Sequence, residues 1–84
     1  MALFWYRLAA DQGDALAQVK LGVMYEHGKG VPQDDVQANM WYNLGAANGE
    51  KLGDELRDAL AKRMTPAQIA EAQRLAREWT PKTP

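Results

Sequence analysis

Trp5-Tyr6 returns as Trp41-Tyr42, 36 residues later. Ala2, Leu8, Ala10 and Gly13 return at the same offset as Ala38, Leu44, Ala46 and Gly49, so six of the thirteen positions in 1–13 match 37–49. A fixed period of this length marks a helical repeat array, in which each unit buries its apolar face only by stacking on its neighbours. Such arrays present extended surfaces to other macromolecules. The period therefore restricts the fold to stacked helices, and it points the function toward binding rather than catalysis.

Local signals divide the chain to match. Residues 2–12 place Leu3, Trp5-Tyr6 and Leu8-Ala9 on a broad apolar helical face, and Gly13 suits the left-handed position that closes a helix. Asp14 reads as the N-cap of a second helix over 15–27. Its Ala17, Leu21, Met24 and Tyr25 form one stripe. Gly22 lies inside this helix, where glycine costs about 1 kcal/mol against alanine; the position predicts a helix crossing closely there. The run Gly28 to Gln33, with two glycines and Pro32, reads as a loop. Asp34, with Gln37 in capping-box position, opens a third helix over 35–48, and Gly49 closes it. Residues 50–64 read as a fourth helix with Leu52, Leu56, Ala59-Leu60 and Met64 on one face. Thr65, Pro66 and Gln68 occupy N-cap, N1 and N3 of a fifth, over 66–79, with Ile69, Ala72, Leu75-Ala76 and Trp79 as its stripe. Residues 80–84 are expected to be a disordered tail. No sustained period-two alternation predicts a strand. The expected fold is all-α, five helices in antiparallel hairpins.

Composition closes off several functions. Eighty-four residues make one small domain, and 46% hydrophobic residues suffice to fold it. A net charge of −1 gives no electrostatic basis for nucleic acid or an acidic membrane as partner. Residues 1–56 carry four Lys/Arg and eight Asp/Glu, and residues 57–84 carry six and three; this imbalance reads as solvated helix faces, with a polar docking surface as the alternative. Without cysteine there is no disulfide and no thiolate zinc site, and without serine no serine nucleophile. No apolar run approaches the ~20 residues that span a bilayer. The N-terminal segment lacks the pattern of a signal peptide, which leaves the cytoplasm as the default compartment.

Beyond the period, the residues resemble a known family. The run Gly13-Asp14-Ala15-Leu16-Ala17-Gln18-Val19-Lys20-Leu21-Gly22-Val23-Met24-Tyr25 fits the first helix of Sel-one-like repeats. Gly28-Lys29-Gly30-Val31-Pro32-Gln33-Asp34 is similar to their loop, and Ala38, Trp41-Tyr42, Ala46 and Gly49 to their second helix. Tetratricopeptide repeats share Leu21-Gly22 and Tyr25 but have a period of about 34. The resemblance covers roughly residues 2–56. It implies an α/α solenoid over 1–79: a half repeat at 1–13, a full repeat at 14–49, a degenerate repeat at 50–64 and a capping helix at 65–79. The pattern decays after Gly49, where Arg57-Asp58 and Ala61 replace the equivalents of Leu21-Gly22 and Tyr25.

The resemblance also implies a non-enzymatic protein-interaction module, a scaffold or adaptor with a protein or peptide partner. Two alternatives accompany it: a purely structural end segment of a longer array, and a small-ligand protein like the cysteine-rich members linked to β-lactams. The absence of cysteine and serine argues against the second. No cofactor or metal is expected. His27 has no second ligand beside it, Asp34-Asp35 reads as a cap and a first-turn acid, and Gly28-Lys29-Gly30 lacks phosphate-loop spacing. Trp5 and Trp41 are expected at equivalent core positions.

Two surfaces remain as candidates. The first helix of each repeat lines the concave side, so the face of residues 14–27 away from the core offers Leu16, Lys20 and Met24, spaced i, i+4, i+8. The open end of the array leaves the first helix without a partner helix. This first helix, which carries Leu3, Phe4, Trp5 and Leu8, is then expected to expose an apolar face, with Leu3, Phe4 and Leu8 as candidates for a homodimer contact.

Overall fold

The computed structural model describes residues 2–81. Five helices follow in order: α1 (Ala2–Asp11), α2 (Ala15–His27), α3 (Asp35–Ala47), α4 (Lys51–Ala61) and α5 (Pro66–Glu78). No strand occurs among the described residues. α2 packs on α1 and α3, while α4 and α5 both pack on α3. The chain is an all-α stack of consecutive helix hairpins of the tetratricopeptide-like kind. α3 is its spine, with almost every residue from Ala38 to Gly45 buried.

The helix starts follow from side-chain chemistry. The first backbone N–H groups of a helix have no partner within it. Asp14 Oδ1 accepts the Ala17 N–H at 2.9 Å, and Asp34 Oδ1 accepts that of Gln37 at 3.1 Å. Thr65 and Gln68 bond reciprocally, at 3.1 and 3.0 Å, just before α5. The equivalent glycines Gly13 and Gly49 reverse the chain with φ of 96° and 106°, a conformation that disfavours residues with a Cβ.

Close approach explains three helical glycines. A methyl group at Gly22 would lie 2.6 Å from the Tyr42 ring, which is the close crossing expected of that position. At Gly45 it would meet Val19 at 2.6 Å, and at Gly53 the Tyr42 carbonyl oxygen at 2.6 Å. α3 thus touches α2 and α4 nearly backbone to backbone.

One cluster joins Ala10, Ala17, Leu21, Trp41, Leu44 and Ala72, and a second joins Val19, Ala38, Tyr42, Leu60 and Met64. Two buried amides are satisfied within the fold, as burial demands. Gln18 donates to the Ala10 carbonyl at 3.1 Å and accepts from Asn48 at 3.0 Å. Asn39 accepts from Asn43 at 2.8 Å and donates to the Met64 sulfur at 3.5 Å.

The fourth helix differs from expectation. It spans Lys51–Ala61 rather than 50–64, and Leu52 and Ala59 are exposed. The turn after Ala61 tucks Met64 beneath Asn39 and carries Arg63 onto Asp35. A continued helix would hold neither contact. Thr80 and Pro81 are non-helical, and the remainder of the expected disordered tail, 82–84, lies outside the described residues. No helix among the described residues is long and apolar enough to cross a membrane.

A candidate protein-interaction surface

α1 leaves three large apolar side chains exposed. Its inward face makes definite contacts: Ala10 is buried, Leu3 packs toward Gly30, and Arg7 donates to the Tyr25 hydroxyl at 3.1 Å. Its outward face holds Phe4, Trp5 and Leu8. Phe4 and Trp5 meet edge to face, with ring centroids 5.1 Å apart. Leu3, Phe4, Arg7, Leu8 and Asp11 line an open apolar groove along the helix. Asp11 and Arg7 form its polar rim, 3.9 Å apart. Contiguous apolar exposure of this kind marks interaction sites on soluble proteins.

The placement of Trp5 corrects the sequence reading. Trp5 and Trp41 share a repeat position, but Trp5 is 62% exposed and Trp41 only 3%. The difference is the neighbour. Trp41 packs edge to face on Trp79, which directly follows α5, with centroids 6.2 Å apart. No described helix covers α1 in that way. Leu3 also departs from a fully exposed face, because it is partly buried against the core.

The second candidate surface is divided. Leu16 and Lys20 are exposed on α2, whereas Met24 is partly buried against the core cluster. Leu16 and Lys20 stand one turn apart and share a solvent face. The geometry does not join them to the α1 groove.

A polar lock on α3 was not legible from spacing. Arg63 holds Asp35 through two hydrogen bonds, at 2.9 and 3.2 Å, and reaches Glu26 at 3.6 Å. Tyr42 donates to Glu26 at 2.6 Å. The Arg63 guanidinium holds the Asp35 carboxyl below the usual carboxylate range. Burial, then the Glu26 carboxylate, push the Tyr42 hydroxyl well above the usual tyrosine range. These partners connect α2, α3 and the turn before α5, so the lock reads as structural.

The lock has a pH signature. Asp35 binds its proton less tightly folded than unfolded. Its contribution is full above about pH 4 and is lost as pH falls through the lowered folded value. Tyr42 has the opposite sign: its contribution is full below about pH 10 and is lost as pH rises beyond that. Urea midpoints of the parent and Arg63→Ala should therefore differ at neutral pH and converge as pH falls below the usual carboxylate range. A gap that stays constant across that range would refute the linkage.

The remaining singled-out residues form no site. Asp34 caps α3. His27 ends α2 in an exposed position. No group of metal-ligating side chains occurs among the described residues. A stack of helix hairpins with an open apolar face defines the class: a helical-repeat protein.

Comparison with known proteins gives the family. The Sel1 repeat family model matches residues 1–14 and 15–50, and the chain belongs to that family. Fifty residues, 60% of the chain, are 42% identical to chitin synthase regulator SKT5 of Saccharomyces cerevisiae. The match spans 7% of that protein's length.

Proposed function

We propose that the chain is a non-enzymatic protein-interaction module, a scaffold or adaptor segment, that takes a protein or peptide partner on the apolar face of α1. The observation that carries this reading is the contiguous exposure of Phe4, Trp5 and Leu8 beside a groove with a charged rim. Membership of the Sel1 repeat family and similarity to a yeast regulator support an adaptor role. In this reading 1–13 is a half repeat, 14–49 a full repeat, 50–64 a degenerate repeat and 65–79 a capping helix. Leu16 and Lys20 on α2 form a secondary contact pair, with Met24 partly buried beside them.

Self-association through Leu3, Phe4 and Leu8 would cover the same α1 face. Light scattering across a concentration series separates the two cases. A constant mass near 9.4 kDa leaves the face to a different partner, and twice that mass makes it a homodimer contact.

The test of the reading is a peptide-library selection on the immobilised chain. Peptides that bind the parent should lose at least ~10-fold in affinity for Phe4→Glu and Leu8→Glu, since truncating or charging a central apolar anchor has effects of that size. Selected peptides indifferent to both substitutions would overturn the assignment to α1.

A further inference from the structure

The repeat relates two grooves that differ in one respect. The cleft where α5 meets α3 is lined by Asn43, Leu44 and Ala47 on one side and by Gln73, Ala76 and Arg77 on the other. Moving back 36 residues turns Asn43, Leu44 and Ala47 into Arg7, Leu8 and Asp11. Those three residues line the open α1 groove. The equivalence extends to burial. Met40 and Leu44 are buried at 6% and 7%, while their counterparts Phe4 and Leu8 are exposed at 58% and 44%.

The inward faces of α1 and α3 correspond as well. Leu3, Arg7 and Ala10 turn toward α2 or its loop. Their counterparts Asn39, Asn43 and Ala46 turn toward α4 or the turn after it. α1 therefore sits against its neighbour in the same orientation as α3. Two places filled on α3 are open on α1 among the described residues: that of α2, against Gly45 and Tyr42, and that of α5, against Leu44. Phe4 and Leu8, the counterparts of Met40 and Leu44, lie on the second.

We propose that the α1 groove takes a single amphipathic helix built like α5. The occupant carries a small residue, a leucine, a second small residue and a tryptophan at i, i+3, i+4 and i+7, the pattern of Ala72, Leu75, Ala76 and Trp79. The two alanines let the helix axes approach, and the tryptophan meets Trp5 as Trp79 meets Trp41. The α1 groove differs in its rim, where Arg7 and Asp11 replace neutral Asn43 and Ala47. Docking of one helix in a groove reads out such an i, i+3, i+4, i+7 pattern. This inference rests on the α1 face being the interaction surface.

The probe is a synthetic peptide of residues 65–80 with blocked ends, added to the full isotope-labelled chain. The readout is the three tryptophan indole N–H resonances, assigned with Trp→Phe variants. The expected result is a saturable shift of Trp5, with Trp41 and Trp79 unmoved. Leu8→Glu should weaken that binding at least ~10-fold, and Leu52→Glu, on exposed α4 surface, should leave it unchanged. Three results overturn the proposal. One is no shift of Trp5 at millimolar peptide. Another is a shift of Trp41 or Trp79, which would mean the peptide replaces α5 on α3. The third is a concentration-dependent Trp5 shift without peptide, which would make a second copy the occupant. If library peptides of other patterns still bind through Phe4 and Leu8, the α1 surface stands and only the α5-like occupant fails.

Discussion

Trp41→Ala is expected to cost about 3–5 kcal/mol, the range for removing a buried aromatic side chain, whereas Trp5→Ala should change stability by no more than ~0.5 kcal/mol. The two residues hold the same repeat position, so sequence pattern alone predicts the same cost. Burial separates them: Trp41 lies among Leu44, Ala72 and Trp79, and Trp5 lies in solvent. The edge-to-face contact with Trp79 contributes about 1 kcal/mol of the Trp41 loss. An opposing effect is also present. The Trp41 indole N–H is buried and makes no hydrogen bond, so its removal relieves a desolvation cost of about 1–3 kcal/mol. The net loss should sit near the lower end of the range. Small domains are marginally stable, so even that loss should unfold a large fraction of the molecules at 37 °C. Urea denaturation followed by far-ultraviolet circular dichroism measures both variants without relying on tryptophan emission. Equal losses for the two would refute the assignment of α5 as the cover for Trp41.

Helix starts were legible because caps are local chemistry. Asp14, Asp34 and the Thr65-Pro66-Gln68 run each satisfy backbone donors within three residues, and each sits where the spacing places it. Gly22 was legible as a close crossing because glycine inside a helix needs a reason, and the reason is the Tyr42 ring. The end of α4 was not legible. Lys62, Arg63 and Met64 are good helix formers, and what stops the helix is distant: Asp35 draws Arg63, and Asn39 draws Met64. Trp5 was misplaced for a related reason. A repeat position records which face a residue occupies, and a neighbouring helix decides whether that face is covered. α5 was legible as a helix with an apolar stripe, but nothing local in its residues names α3 as the surface it meets. The exposure of Phe4 and Leu8 was legible, because the repeat period shows the first helix without a partner helix in these residues.

Gly53→Ala should destabilise the chain by about 1–3 kcal/mol, the usual cost of overpacking a tight contact, although it favours helix by about 1 kcal/mol. Two effects of opposite sign compete, and geometry decides between them. The added methyl would lie 2.6 Å from the Tyr42 carbonyl oxygen, 2.8 Å from the Ala46 nitrogen and 3.3 Å from the Ala46 Cα. All three are backbone atoms of α3, so no side chain can rotate aside. α4 would have to move away from α3 as a unit. That movement would strain the contacts that follow α4 in sequence, because Arg63 and Met64 are held by Asp35 and Asn39 on α3. Gly22→Ala is the informative comparison. There the nearest atoms belong mainly to the Tyr42 ring, which could tilt only by disturbing its 2.6 Å bond to Glu26. Ala59→Gly, at an exposed position of the same helix, isolates the propensity effect and should cost about 1 kcal/mol alone. Thermal unfolding resolves these differences, since 1 kcal/mol shifts Tm by roughly 4–8 °C in a domain of this size. A higher Tm for Gly53→Ala would mean that α3 and α4 tolerate a wider crossing. The tight α3–α4 contact would then not be what sets the position of the turn that leads into α5.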